Sequence, residues 1–236
     1  MFKGISKNQK NTLIVCGLLI TLAVFAGIIT RSSYSTLSLN NEAYENAKLN
    51  FTPEHADTYD KAIMNYDFDM ARKEYEQNCD YIFKIEVLSV EHCYGCEKYN
   101  VKVLKTVKGD TDETGKNIAL YHAVWFYEDR DNSLVFSEFD HSFPVKPGKT
   151  YLVFANKKNY IEEYQRTLDC NEYYLEPFIY HPAIYASDEQ QSAFVDLNRD
   201  KTLADVEDQQ YICFSQEALD HMNRFAREVI EYYDRQ

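Results

Sequence analysis

The chain has 236 residues, with 25 lysines and arginines against 38 aspartates and glutamates, a formal charge of −13 at neutral pH. At about 100–200 residues per domain this length fits one domain with additions, and a content of 45% hydrophobic and 15% aromatic residues suits a packed core, which excludes disordered, collagenous and low-complexity classes. The negative charge also argues against nucleic acid as a partner, because that binding rests on Lys and Arg displacing counterions from phosphates.

The first 31 residues carry Lys3, Lys7, Lys10 and Arg31 and no acid, so residues 32–236 hold 21 bases and all 38 acids, a charge of −17. From Thr12 to Thr30 the sequence TLIVCGLLITLAVFAGIIT runs without a charge. At 1.5 Å per residue it reaches about 28 Å, close to a bilayer's hydrocarbon thickness. This predicts a single-pass anchor in the lipid bilayer of the cell membrane. The preceding lysines hold the N-terminus in the cytoplasm and send residues 32–236 outside. A cleaved, secreted form is the alternative, with Val24, Phe25 and Ala26 before Gly27 as the cut site, but cutting there leaves Ile28 and Ile29 exposed. Cys16, near the start of the run, reads as an apolar membrane-facing thiol.

Residues 32–66 are polar and weakly patterned, as expected of a stalk. In residues 67–78, Phe68, Ala71, Tyr75 and the Arg72 stem share one helical face, which predicts a short helix. The period then changes to two. Tyr81, Phe83, Ile85 and Val87 alternate with Lys84 and Glu86, and Tyr99, Val101 and Val103 alternate with Lys102. Between them lies Cys93-Tyr94-Gly95-Cys96, whose Tyr-Gly centre suits a tight turn, so the two runs should pair as an antiparallel hairpin. Further strands are expected over residues 117–127, over residues 133–139, and, after the Pro147-Gly148 turn, over residues 150–155. Such spacing points to a sandwich or small barrel. Residues 159–214 are tyrosine-rich without a readable period. In residues 215–233, Leu219, Met222, Phe225, Ala226, Val229, Ile230 and Tyr233 form one stripe behind a Ser215 cap and Glu217, an amphipathic helix that should pack on the barrel.

The stretch Cys79-Asp80-Tyr81-Ile82-Phe83-Lys84-Ile85-Glu86-Val87-Leu88-Ser89-Val90 resembles the opening strand of netrin-like domains, the group that includes the tissue inhibitors of metalloproteinases. Residues 99–104 (YNVKVL), 107–113 (VKGDTDE) and 148–154 (GKTYLVF) continue the similarity in the family's order. The resemblance covers residues 79–156 and implies an OB-type five-stranded barrel. The expected organisation is mainly β with flanking helices: cytoplasmic tip and transmembrane helix over 1–31, stalk over 32–66, barrel over 67–158, and an irregular extension with the C-terminal helix over 159–236. Inhibition of a protease does not follow, since that branch uses a free N-terminal cysteine and Cys79 lies in mid-sequence. The resemblance further implies a disulfide from Cys79 to Cys170 or Cys213.

Five cysteines lie beyond the anchor, Cys79, Cys93, Cys96, Cys170 and Cys213, and an oxidising exterior would pair four and leave one over. For Cys93 and Cys96, a redox pair needs a helix N-terminus, whereas Glu97 onward reads as strand. Zinc needs two further ligands, which His92, Cys170 or Cys213 supply only if folding delivers them. A cystine clamping the turn is favoured. Asp196, Asn198, Asp200, Thr202 and Glu207 fall at positions 1, 3, 5, 7 and 12 of a calcium loop, but Lys201 stands where the sharp turn wants glycine, so a solvated acidic loop is the simpler reading. The six histidines are scattered, and His122 alternates with core positions, as a satisfied barrel histidine would. No Gly-rich phosphate loop, HExxH or GxSxG is present. The expected function is a non-catalytic binding or adaptor module with no cofactor, which meets an extracytoplasmic protein or ligand. The alternative is a thiol- or metal-dependent enzyme centred on Cys93 and Cys96.

Overall fold

The computed structural model describes residues 41–49, 53–92, 96–137, 145–157, 171–176, 178, 181–187, 195–196, 201–206 and 209–236, all within one compact unit, Ser38–Gln236. Among them no helix is long and apolar enough to cross a membrane, and the span expected from Thr12 to Thr30 lies outside the described residues.

The described chain opens with α1 (Asn41–Glu45), the short strand β1 (Lys48–Leu49), α2 (Pro53–Met64) and α3 (Phe68–Asn78). The expected stalk is therefore part of the fold from residue 41 onward. Ala47, Ala56 and Ile63 are buried, and Asp60 accepts a hydrogen bond from the Phe214 backbone N–H at 2.9 Å. These buried positions are single, mostly small residues among charges, so their burial depends on distant partners and leaves no periodic signal. In α3 the expectation holds: Asp67 caps it by accepting from the Met70 N–H at 2.9 Å, and Ala71 and Tyr75 are buried.

There follow β2 (Tyr81–His92), β3 (Cys96–Lys108), β4 (Asn117–Ala123), β5 (Trp125–Glu128), β6 (Leu134–Ser137), β7 (Thr150–Asn156), β8 (Glu172–Leu175), β9 (Ile184–Ala186) and α4 (Gln216–Asp234). Strands pair in the order β2-β3-β4-β8-β7, and β7 pairs back onto β2, closing a five-stranded barrel. Every pairing in it is antiparallel except β4 with β8. Register shifts in the β2–β3 hairpin, including those around Leu88 and Leu104, insert unpaired residues that curve the strands enough to close.

Two expectations change. The run over residues 117–127 divides at Val124, so that β4 stays in the barrel while β5 joins β6 and β1 in a separate three-stranded sheet. Apolar residues run through the break because Val124 and Phe126 enter a second core with Ala47, Phe136, Leu203, Val206 and Ile212, so no change of period marked it. The fifth barrel strand is β8, beyond the expected limit at residue 158, since the run over residues 133–139 supplies the small sheet instead.

Inside the main core, Phe83, Ile85, Val87, Tyr99, Val101 and Val103 are buried, as the two-residue alternation predicted, and Leu120, Phe154 and Tyr173 join them. Helix α4 packs on this core through Leu219, Met222, Phe225, Ala226, Val229 and Tyr233, with Ser215 capping it at the Ala218 N–H. At about 1.5–3 kcal/mol for each large buried apolar side chain, as an upper estimate, this stripe rather than helix propensity holds α4 in place.

Candidate functional site

The β2–β3–β4 register sets His92 opposite Glu97, and Glu97 opposite His122, so two histidines flank one glutamate on a common face. Glu97 is wholly buried, at 0% exposure. Burying a lone carboxylate costs several kcal/mol unless its oxygens are hydrogen-bonded. Here His92 Nδ1 lies 2.9 Å from Oε1, and the Tyr99 hydroxyl donates to Oε2 at 2.6 Å. Tyr99 is itself 2.9 Å from His122 Nδ1.

Proton placement follows from donor counts. A carboxylate oxygen accepts, so His92 donates through Nδ1 in this contact. Tyr99 spends its single hydrogen on Glu97, so its oxygen accepts from a hydrogen on His122 Nδ1. Glu97 thereby orients both histidine rings, His92 directly and His122 through Tyr99.

Tyr44 of α1 covers this row. Its ring stacks on His92 with centroids 3.6 Å apart and planes 19° from parallel, and it also meets Phe126 at 5.6 Å. The Tyr44 hydroxyl is buried beside Glu97. Burial, then the charge of Glu97 and a hydrogen bond to it, push its phenol well above the ordinary range.

Beside the row, Cys96 packs against the buried Ala119, Tyr121 and Tyr174, where Tyr121 donates to Glu172 Oε1 at 2.8 Å. Cys79, Cys96 and Cys213 are thiols rather than cystines. The expected Cys93–Cys96 clamp and the bridge from Cys79 to Cys170 or Cys213 are therefore not formed; Cys93 and Cys170 themselves lie outside the described residues. Burial raises the Cys79 thiol far above its usual range, with the Glu176 charge adding to it. Cys79 and Cys213 sit in the main core, where packing takes the place expected for a covalent bond.

Of the calcium-loop candidates, Asn198, Asp200 and Glu207 lie outside the described residues. Thr202 N and Oγ1 both donate to Asp205 Oδ2, at 2.9 and 3.1 Å, and Thr202 forms an isolated antiparallel bridge with Lys48, so it closes a turn beside β1. Asp196 is exposed, next to the buried Val195. Among the described residues no three His, Cys, Asp or Glu side chains are grouped to hold a metal ion.

Sequence reasoning weighed His92 as a ligand and His122 as a barrel histidine, but missed Glu97, Tyr99 and Tyr44 as their partners. A signal for Glu97 existed: it is in phase with Tyr99, Val101 and Val103, a charge on the core-facing side of a strand. Compared with known families and curated proteins, the chain matches no family model and no curated relative.

Proposed function

We propose that the chain is a membrane-anchored, extracytoplasmic and non-catalytic binding module on an OB-type barrel, with its ligand-facing end at the β2–β3 hairpin. Numbered around the barrel, the strands run first, second, third, fifth, fourth and back to first, which supports the OB-type reading. Barrels of that type use the loop between their first two strands, and the loop between the fourth and fifth, to engage ligands. Here the first of these is the connection from His92 to Cys96. The resemblance of residues 79–156 to netrin-like domains agrees with this reading, and the uncharged run from Thr12 to Thr30 behind three lysines supports the anchor.

The observation that carries the proposal is the fully buried Glu97 bonded to His92 and Tyr99, with His122 joined through Tyr99, at the hairpin end of β2 and β3. Such a network holds the strand ends rigid, and a pre-organised surface binds with less ordering cost. A second reading, thiol chemistry at the same hairpin, is favoured by one observation, the half-exposed Cys96 thiol.

The test uses the full chain in intact cells, with a photo-crosslinking residue at Asn100 near the hairpin end or at Glu228 on α4. Adducts from position 100 and not from position 228, together with extracellular protease access to a C-terminal tag, are expected. Equal adducts from both positions, or a protected tag, would overturn the proposal. Rapid, stoichiometric modification of Cys96 that abolishes turnover of a thiol substrate would favour the second reading.

A further inference from the structure

Going beyond the ligand reading but resting on its membrane anchor, we infer that the flank of the β2–β3 hairpin around Leu88 and Leu104, edged by Lys102, Lys105 and Lys149, docks on the anionic phospholipid headgroups of the anchoring bilayer. Leu88 and Leu104 are 46% and 37% exposed beside the buried Val87 and Val103, so both turn away from the barrel interior. They are the residues that the register shifts of the hairpin leave without a partner across the ladder. Two exposed leucines alone would mean little, since single apolar residues are common on any surface. The charges around them give them a direction.

That charge runs against the charge of the molecule. Lys105 stands directly opposite Lys84 and Lys102 opposite Glu86, while the Val87 N–H donates to the Lys149 carbonyl at 3.0 Å, which brings Lys149 beside Leu88. Lys84 is neutralised by Asp234 at 2.9 Å, but Lys102, Lys105 and Lys149 make no ion pair among the described residues. At the borders, Lys98 is paired with Glu91 and Lys116 with Glu113. The flank thus holds four lysines against Glu86 and Asp234, in a body of charge −17 over residues 32–236. Like charges directly opposite on neighbouring strands are destabilising, so Lys84 facing Lys105 is a cost that an anionic partner would offset. An anionic bilayer meets both features. Its phosphates attract lysines near the surface, whose flexible stems let the ammonium groups reach them while the leucines enter the acyl boundary. Asn41 follows Arg31 by ten residues, which reach at most about 36 Å, so the anchor keeps the flank near headgroups. Docking there leaves the hairpin end, at His92 and Cys96, to the ligand.

The test is acetylation of lysines by acetic anhydride on the full chain in lipid nanodiscs, read by peptide mass spectrometry. In discs with about one-third phosphatidylglycerol, Lys102, Lys105 and Lys149 should react about 5-fold more slowly than in pure phosphatidylcholine, the equivalent of one lysine held at the surface, while the exposed Lys73 on α3 is unchanged. At about 1 M salt, where screening shortens to about 3 Å, the difference should disappear. Leu88→Ser combined with Leu104→Ser, both at exposed positions, should also abolish it while circular dichroism shows the barrel intact. Equal rates at the three lysines in both lipids, or protection that the leucine variant leaves unchanged, would overturn the inference. So would protection found in intact cells but not in anionic discs, which would assign the flank to an acidic protein. Incorporation into the discs reports the anchor separately. A chain that stays out of them is compared on anionic and zwitterionic vesicles: selective protection on the anionic ones keeps the docking flank and loses the anchor, and equal rates overturn the flank.

Discussion

Deleting a hydroxyl should have opposite effects at two buried tyrosines of this protein, and the pair of variants tests the hydrogen-bond argument directly. Tyr99 and Tyr233 are 0% and 2% exposed. The Tyr99 hydroxyl serves both Glu97 and His122, at 2.6 and 2.9 Å, whereas the Tyr233 hydroxyl is buried with no partner among the described residues. Tyr99→Phe leaves two buried polar atoms short of a bond, one of them on a carboxylate. At about 1–3 kcal/mol for each unsatisfied group, with the charged one toward the upper end, the expected loss is about 2–4 kcal/mol. For a folded unit of this size that lowers Tm by roughly 4–16 °C. Tyr233→Phe removes an uncompensated polar group at nearly constant shape, so it should be neutral or stabilising by about 1 kcal/mol. Urea titration of the full chain in detergent, followed by far-ultraviolet circular dichroism, measures both. A loss below about 0.5 kcal/mol for Tyr99→Phe, within the range of an ordinary surface substitution, would refute the claim that its hydroxyl holds the row together.

Four further outcomes are expected. Lys108 Nζ donates to the carbonyls of Cys79 and Glu76 at 2.5 and 2.9 Å where α3 ends, so Lys108→Met should lower stability by about 1–2 kcal/mol, read as a lower urea midpoint. A Cβ on Gly109 would lie 2.6 Å from Tyr81 Cδ1, so Gly109→Ala should cost about 1–3 kcal/mol through displacement of that ring, and a change within 0.5 kcal/mol would show that the ring yields freely. The Ser133 N–H first, with the Asp131 N–H and Lys48 adding to it, holds the Asp129 carboxyl below its usual range against the opposing effect of burial. A depressed carboxylate stabilises the fold above its unfolded pKa, near 3.9, and loses that contribution as pH falls through the folded value. The Tm gap between wild type and Asp129→Ala should therefore be present at pH 7 and narrow toward pH 3; a constant gap would mean the charge is not involved. Finally, iodoacetamide should modify Cys96 in the native protein, and Cys79 and Cys213 only after unfolding, because the latter two are buried and burial keeps the Cys79 thiol protonated. Mass shifts in tryptic peptides report each site.

Local patterns in the sequence determined what depends on near neighbours. The helix around Ala71 and Tyr75, the β2–β3 hairpin, the strand at residues 150–155 and the α4 stripe all follow from a period of 3.6 or 2 with a cap or turn at the end. The acidity and the uncharged run from Thr12 to Thr30 are likewise properties of composition and order alone.

Tertiary structure decided what depends on residues far apart in the chain. Which strand completes the barrel is one case: β8 closes it through a parallel pairing with β4 that spans some fifty residues, and nothing local in Glu172-Tyr173-Tyr174-Leu175 specifies that neighbour. The entry of residues 41–49 into the fold is another, since β1 takes its partners from β6 and from Lys201 and Thr202, far along the chain. Where an oxidising exterior led to an expectation of disulfides, Cys79 and Cys213 are instead thiols packed in the main core. The acid–histidine row needed both kinds of information. An acid in phase with core residues was visible at Glu97, but its stability requires one histidine from each neighbouring strand and a phenol two residues on, and only the strand register brings these together.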